Sequence, residues 1–208
     1  MTPDELRVIG YLDPRRALGF FEELPGGTEV WAGDLGASAD PDQALLAAIR
    51  LHEVDPGLVR GLIDDSRACA RLCAVLGGSQ WLGDYIIADP SRARATWEDP
   101  GEAAQVLLES VGATRVDNGV YVASEHAHVD DLRAAYRRVL LSLAADDLTS
   151  DDPEGFMPEV GRRIADLVDA TLEAGLALAR RDIDPRGRIP FAIIAMGKTG
   201  AHELNYIS

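Results

Sequence analysis

From residue 1 to about residue 185, apolar residues recur at helical spacing, and proline, glycine and aspartate repeatedly cut the pattern. That punctuation allows many short helices and leaves little room for a sheet. Thr2-Pro3-Asp4-Glu5 and Asp13-Pro14 each read as a capping side chain followed by proline at the first helical position. Helices are expected at about 3–9 and 14–24, with 25–40, "PGGTEVWAGDLGASAD", as loop. A helix at about 41–53 would bury Leu45, Ala48 and Leu51, and Pro56 opens another through Leu58, Leu62 and Ile63. Ser66 to Leu76 reads as a helix closed by Gly77-Gly78. Ser79 caps the next, which Pro90 ends. Short helices with brief links make an irregular helical bundle.

The later chain is patterned differently. "RVDNGVYV" sets Asp117-Asn118-Gly119 between valines, which fits a small hairpin or a plain loop within 113–124. Two longer helices follow, at about 128–147 and 157–182. Leu132, Tyr136, Val139, Leu140 and Leu143 share one face of the first, and Val160, Ile164, Leu167, Val168, Gly175 and Leu178 one face of the second. Arg133, Arg137, Arg138, Arg162, Arg163, Arg180 and Arg181 fall opposite, where a solvated face is the default. Asp184-Pro185-Arg186-Gly187 is a turn, and Ile189 to Met196, "IPFAIIAM", is apolar on both faces, as in a strand buried within a sheet. The fold class is therefore mainly α: a helical region over 1–185, then the first strand and glycine turn of a second domain over 186–208.

Composition narrows the partners. Aromatics are scarce at 6%, and the formal net charge is −15. Such a surface repels phosphodiester backbones and anionic lipid, so neither nucleic acid nor membrane is expected as a partner. Cys69 and Cys73 lie four apart in one helical pattern, a poor geometry for a disulfide, and read as buried reduced thiols. The acidic start "MTPDELRVIG" lacks a signal-peptide core and no apolar run is long enough to span a bilayer, so a cytoplasmic location is expected. Glu125-His126-Ala127-His128-Val129-Asp130-Asp131 gathers potential metal ligands, but no distant partner is marked out; the segment reads as a polar helix start, and no metal site is assigned.

The chain's only lysine, Lys198, sits in "AMGKTGAHELNYIS". Strand, glycine turn, lysine, hydroxyl and short helix together suit a phosphate: glycines let backbone amides approach the anion, and lysine supplies a point charge. Thr199 is placed to cap the helix, and Glu203 to fall in its first turn. A P-loop would need glycine where Ala192 stands and an unbroken helix where Gly200 stands.

At full length the stretch resembles the glutamine synthetase adenylyltransferase/adenylyl-removing family, whose pattern is close to M-G-K-x-G-x-x-E-L-N-[YF]-x-S-D-x-D. Met196, Gly197, Lys198, Gly200, Glu203, Leu204, Asn205, Tyr206 and Ser208 match in register, and Ala201 departs from the commoner glycine. Tyr136–Thr149, Ile164–Ala179 and Ser66–Pro90 resemble family helices. The resemblance implies a polymerase-β-type nucleotidyltransferase domain that uses Mg²⁺ and handles ATP or ADP, with glutamine synthetase as its target and a PII-type signal protein as a partner. Asn205 points to the N-terminal, adenylyl-removing copy, which releases AMP from the adenylyl-tyrosine by phosphorolysis to ADP and so regulates nitrogen assimilation. By the same resemblance Gly197, Lys198, Gly200 and Ser208 are nucleotide-binding, while Thr199, Glu203 and Asn205 support the turn. The catalytic D-x-D carboxylates would begin just after Ser208, so the chain alone is expected to be inactive. The alternative is a non-catalytic helical binding or regulatory module that keeps the glycine turn as a relic.

Overall fold

A computed structural model describes residues 1–117 and 119–206. The chain is mainly α-helical, as its punctuation implies. It forms two compact units: Met1–Glu98 with Ala144–Asp151, and Asp99–Leu143 with Asp152–Ser208.

The first unit holds α1 (Pro3–Ile9), α2 (Pro14–Phe21), α3 (Gly27–Gly36), α4 (Pro41–Val54), α5 (Pro56–Leu62), α6 (Ser66–Gly78), α7 (Gln80–Ile87) and a 3-10 helix (Pro90–Thr96). Asp-Pro pairs open α2, α4, α5 and the 3-10 helix: in each, the aspartate accepts a first-turn amide and proline occupies the position that needs no donor. Asp65 caps α6 and Ser79 caps α7 in the same way, without proline. Trp31, Phe21, Tyr11, Leu35, Leu45, Leu72 and Ile86 are fully buried. Tyr11 meets Phe21 edge to face at 5.6 Å. Arg71 donates to the Thr96 carbonyl and pairs with Asp146 at 2.6 Å, tying α6 to the 3-10 helix and to residues 144–151.

Two expectations are corrected here, and a third is extended. Residues 25–40 are not all loop, because α3 forms despite its glycines and lack of a side-chain cap. Burial of Trp31, Ala32 and Leu35, with Trp31 Nε1 donating to the Pro25 carbonyl at 2.8 Å, outweighs weak local propensity. Gly77-Gly78 lie inside α6 rather than closing it, since their missing side chains let Ser38 and Leu148 approach. Pro90 ends α7 but also starts the 3-10 helix.

The second unit holds α8 (Ala103–Ser110), β1 (Thr114–Arg115), β2 (Tyr121–Val122), most of α9 (Val129–Leu148), α10 (Pro153–Ile183) and α11 (Gly197–Gly200). The hairpin forms: β1 and β2 pair antiparallel, with Thr114 opposite Val122 and Arg115 opposite Tyr121. Asn118, expected in its turn, lies outside the described residues, while Gly119 takes a left-handed φ of +78°. The longest helix, α10, is capped by Asp152-Pro153 and carries Leu167, Ala170, Ala174 and Ala177 as a narrow buried stripe. Against that stripe pack Val106, Leu107 and Val111 of the α8 region and Leu132 and Val139 of α9. Not all the arginines on the polar face are solvated. Arg180 is buried and faces the Tyr121 carbonyl at 3.4 Å and Glu173 at 3.6 Å, and Arg181 donates to the Ala127 carbonyl at 2.6 Å. Backbone acceptors of the hairpin and its exit take up both charges.

The strand expected over 189–196 does not form: residues 191–196 run without ladder pairing. Ile189, Phe191, Ile193, Ile194 and Met196 are 47–83% exposed. A strand exists only against a neighbour, and among the described residues β1 and β2 pair with each other alone.

Candidate functional site

The Gly-Lys signature is built on one tight helical turn. Met196 precedes it in extended conformation, and Gly197 enters at φ +60°, a left-handed value that glycine alone adopts freely. Lys198 and Thr199 follow within α11, so Thr199 is not the cap it was expected to be; the helix starts two residues earlier and has no side-chain cap. Glu203 lies beyond the helix rather than in its first turn.

The exit from α11 is a Schellman motif. His202 N–H donates to the Thr199 carbonyl at 3.1 Å, and Glu203 N–H reaches back to the Lys198 carbonyl at 2.9 Å. His202 occupies the left-handed position at φ +56°, where glycine is usual and histidine is tolerated. Gly200 is glycine for a steric reason: a Cβ there would stand 2.6 Å from the Ala195 carbonyl oxygen, so the extended segment before α11 and the helical turn touch backbone to backbone. Gly197, Lys198, Thr199 and Gly200 are thus brought together on one turn. Asn205 follows in an exposed irregular segment, and Ser208 lies outside the described residues.

Sequence reasoning did not find what the signature rests on. Leu204 is half buried against Leu143, Phe156, Val160 and Ile164. Its carbonyl oxygen lies 3.1 Å from where a Cβ on Gly161 would be, so α10 is bare where the signature crosses it. His202 Nδ1 sits 3.4 Å from Asp166, itself held by Arg162, on the same helix. A glycine inside a strong helical pattern was the available signal for Gly161. Close by, Glu159 is held below its usual range by its hydrogen bonds from Arg162, so this stretch of α10 presents fixed charges. At Glu125–Asp131, Asp131 accepts from the His128 amide at 2.9 Å and starts α9. Among the described residues no three His, Cys, Asp or Glu side chains gather as a metal site. Cys69 and Cys73 are free and buried, their sulfurs 4.0 Å apart, and the contact with Cys69 together with burial pushes the Cys73 thiol well up. No helix is long and apolar enough to cross a membrane among the described residues.

Fold and signature together define a helical protein that delivers a glycine-lysine turn from the far end of its longest helix. The family model for glutamate-ammonia ligase adenylyltransferase matches residues 69–208, and the chain belongs to that family. Among its relatives, a bifunctional glutamine synthetase adenylyltransferase/adenylyl-removing enzyme of Cutibacterium acnes is 36% identical over 86% of this chain and 19% of its own length. Enzymes of the same name from Bifidobacterium longum subsp. infantis and Mycolicibacterium smegmatis are each 35% identical over 96% of the chain, covering 20% and 21% of their own lengths. The chain therefore spans about a fifth of the length of these curated relatives. No solved structure matches it.

Proposed function

We propose that this chain is the N-terminal part of an enzyme that attaches AMP to glutamine synthetase and removes it, and that it belongs to the adenylyl-removing half. The observation that carries the reading is the register of Met196–Ser208 with the family signature, joined to a family match that runs through the helices before it. In this reading the amides of the Gly197–Gly200 turn and the Lys198 ammonium receive the phosphates of the nucleotide, ADP as product or ATP as substrate. Gly200 keeps that turn against Ala195, and the Schellman bonds orient it. Removal of AMP consumes inorganic phosphate: a phosphate oxygen forms a bond to the adenylyl phosphorus, and the tyrosine oxygen leaves.

The Mg²⁺ implied for the family supplies charge neutralisation at such a phosphorus. The described residues offer no ligand set for it. In this reading the D-x-D carboxylates of the family pattern would stand immediately after Ser208, in a longer polypeptide. Glutamine synthetase, as target, and a PII-type signal protein are the partners this reading brings to that longer polypeptide, and a cytoplasmic setting follows from them.

The test is made on the full-length polypeptide. Lys198→Ala is expected to lower phosphorolysis of adenylylated glutamine synthetase at least about tenfold, the scale of one charge-assisted phosphate contact. ADP release is the readout. Unchanged turnover and unchanged ADP affinity would remove Lys198 from the site. Metal-dependent phosphorolysis by residues 1–208 alone would overturn the assignment of the catalytic carboxylates.

A further inference from the structure

The turn after α10 is braced against the hairpin. Asp184 is buried and accepts from the Ile189 amide at 2.7 Å. Gly187 takes φ +61°, and a Cβ there would collide with the Val120 side chain and come within 3.0 Å of Val116. On the facing side, Arg115 is in register with Tyr121, and its guanidinium lies 5.0 Å from the Tyr121 ring centroid. Three arginines thus start from two fixed pieces of backbone: Arg115 from β1, and Arg186 and Arg188 from the turn. With Val116, Asp117 and Pro185 they line a cleft of about 700 Å³.

The charge in this cleft is unusual for the chain. The protein carries 35 acidic residues against 20 basic ones, yet none of the three guanidinium groups makes an ion pair among the described residues. Three cations, set against the carboxylate of Asp117 in the cleft and that of Asp184, on which the charge of Arg188 acts, leave about one positive charge there. Guanidinium forks match phosphate oxygens in pairs, and a phosphate group carries about −1.5 to −2 at neutral pH. The volume lies within the range of about 300–1,000 Å³ typical of small-molecule sites.

We infer that this cleft binds a phosphate dianion, free or carried on a nucleotide, through Arg115, Arg186 and Arg188. The inference stands on the arginines and holds whether or not Lys198 contacts a nucleotide. Bound there, a phosphate would join the hairpin to the turn from which the apolar segment 189–196 departs.

The experiment titrates inorganic phosphate and, separately, ADP into the 208-residue chain at low ionic strength, following the arginine Nε–Hε resonances and the binding heat. Saturable binding is expected, with the largest shifts at Arg115, Arg186 and Arg188. The double variant Arg186→Ala/Arg188→Ala should lose about tenfold or more in affinity. Arg115→Ala, which alters one exposed side chain only, should weaken binding without changing the helical circular dichroism. Arg188→Lys keeps the charge but not the fork and should bind less tightly than wild type. Phosphate binding as tightly as ADP assigns the free ion, and ADP binding about tenfold tighter assigns a nucleotide-borne phosphate. The phosphate-induced shifts at Arg115, Arg186 and Arg188 should persist in Lys198→Ala. The inference fails if neither anion saturates, if the arginine variants bind as wild type, or if Lys198→Ala abolishes the shifts at the three arginines.

Discussion

Gly200 and Asp184 hold the two turns of the C-terminal segment, and each makes an expectation that a single substitution tests. A Cβ at Gly200 would meet a backbone carbonyl, which cannot rotate away as a side chain would. Gly200→Ala should therefore part residue 195 from the α11 turn and weaken the Schellman bonds behind it, at a local cost of about 1–3 kcal/mol. Because Lys198 is the only lysine, a lysine-specific protease has one site in the chain. Its cleavage rate reads the opening of this turn directly and should rise in Gly200→Ala, and an unchanged rate would mean the contact is not maintained. Asp184 behaves differently. Amide bonds from Ile189 and Arg188, then the charges of Arg180 and Arg188, hold its carboxyl below the ordinary carboxylate range. A lowered folded value gives stability that is complete above the unfolded value of about 3.9 and disappears as pH falls through the folded one. The Ile189 amide resonance should titrate below about pH 3.9, and a midpoint at or above that would contradict the bond.

At the level of elements, α10 both builds the core of its unit and carries the signature. Its Ala170, Ala174 and Ala177 stripe admits α8 closely, and about two and a half turns before that stripe begins, Gly161 admits the Glu203-Leu204 backbone. Gly161→Leu should favour the helix by up to about 1 kcal/mol while ejecting Leu204 from Phe156, Val160 and Ile164. Helical circular dichroism should hold or rise while cleavage after Lys198 accelerates. If both stay at wild-type levels, the signature does not rest on Gly161. The long helices were legible in the sequence because an apolar face repeats through both, but α10 begins at Pro153, four residues before the expected 157, because Asp152-Pro153 caps it within what reads as a polar link. Residues 27–36 were not legible, since three glycines in ten residues hide a helix that only the burial of Trp31 and Leu35 makes worthwhile. The signature residues could be read by register, but their support could not: Gly161 lies in another element, and nothing in its local pattern says what crosses it. Arg180 was misread for the same reason, because its partner is a hairpin carbonyl distant in sequence.

For the molecule as a whole, two opposed features meet at Ile189–Met196. Ile189, Phe191, Ile193, Ile194 and Met196 expose apolar surface with no charge among them, the composition of a segment that seeks strand pairing. The chain around them carries a net charge of −15, which keeps copies apart. Range decides between them. Charge repulsion acts over a Debye length of about 10 Å at 0.1 M salt but only about 3 Å at 1 M, whereas apolar burial needs contact and strengthens with excluded salts. The 208-residue chain should therefore sediment as a monomer at low salt and associate as salt rises. Ile194→Asp places a charge on the most exposed isoleucine of the run and should move the onset of association to higher salt, leaving the helical signal intact because that side chain touches no core. Association that starts at the same salt in both proteins would mean another surface drives it. The longer polypeptide supplies the discriminating case: if 189–196 is the first strand of a nucleotidyltransferase sheet, the neighbouring strands cover it, and full-length protein should stay unassociated at salt concentrations where the 208-residue chain self-associates.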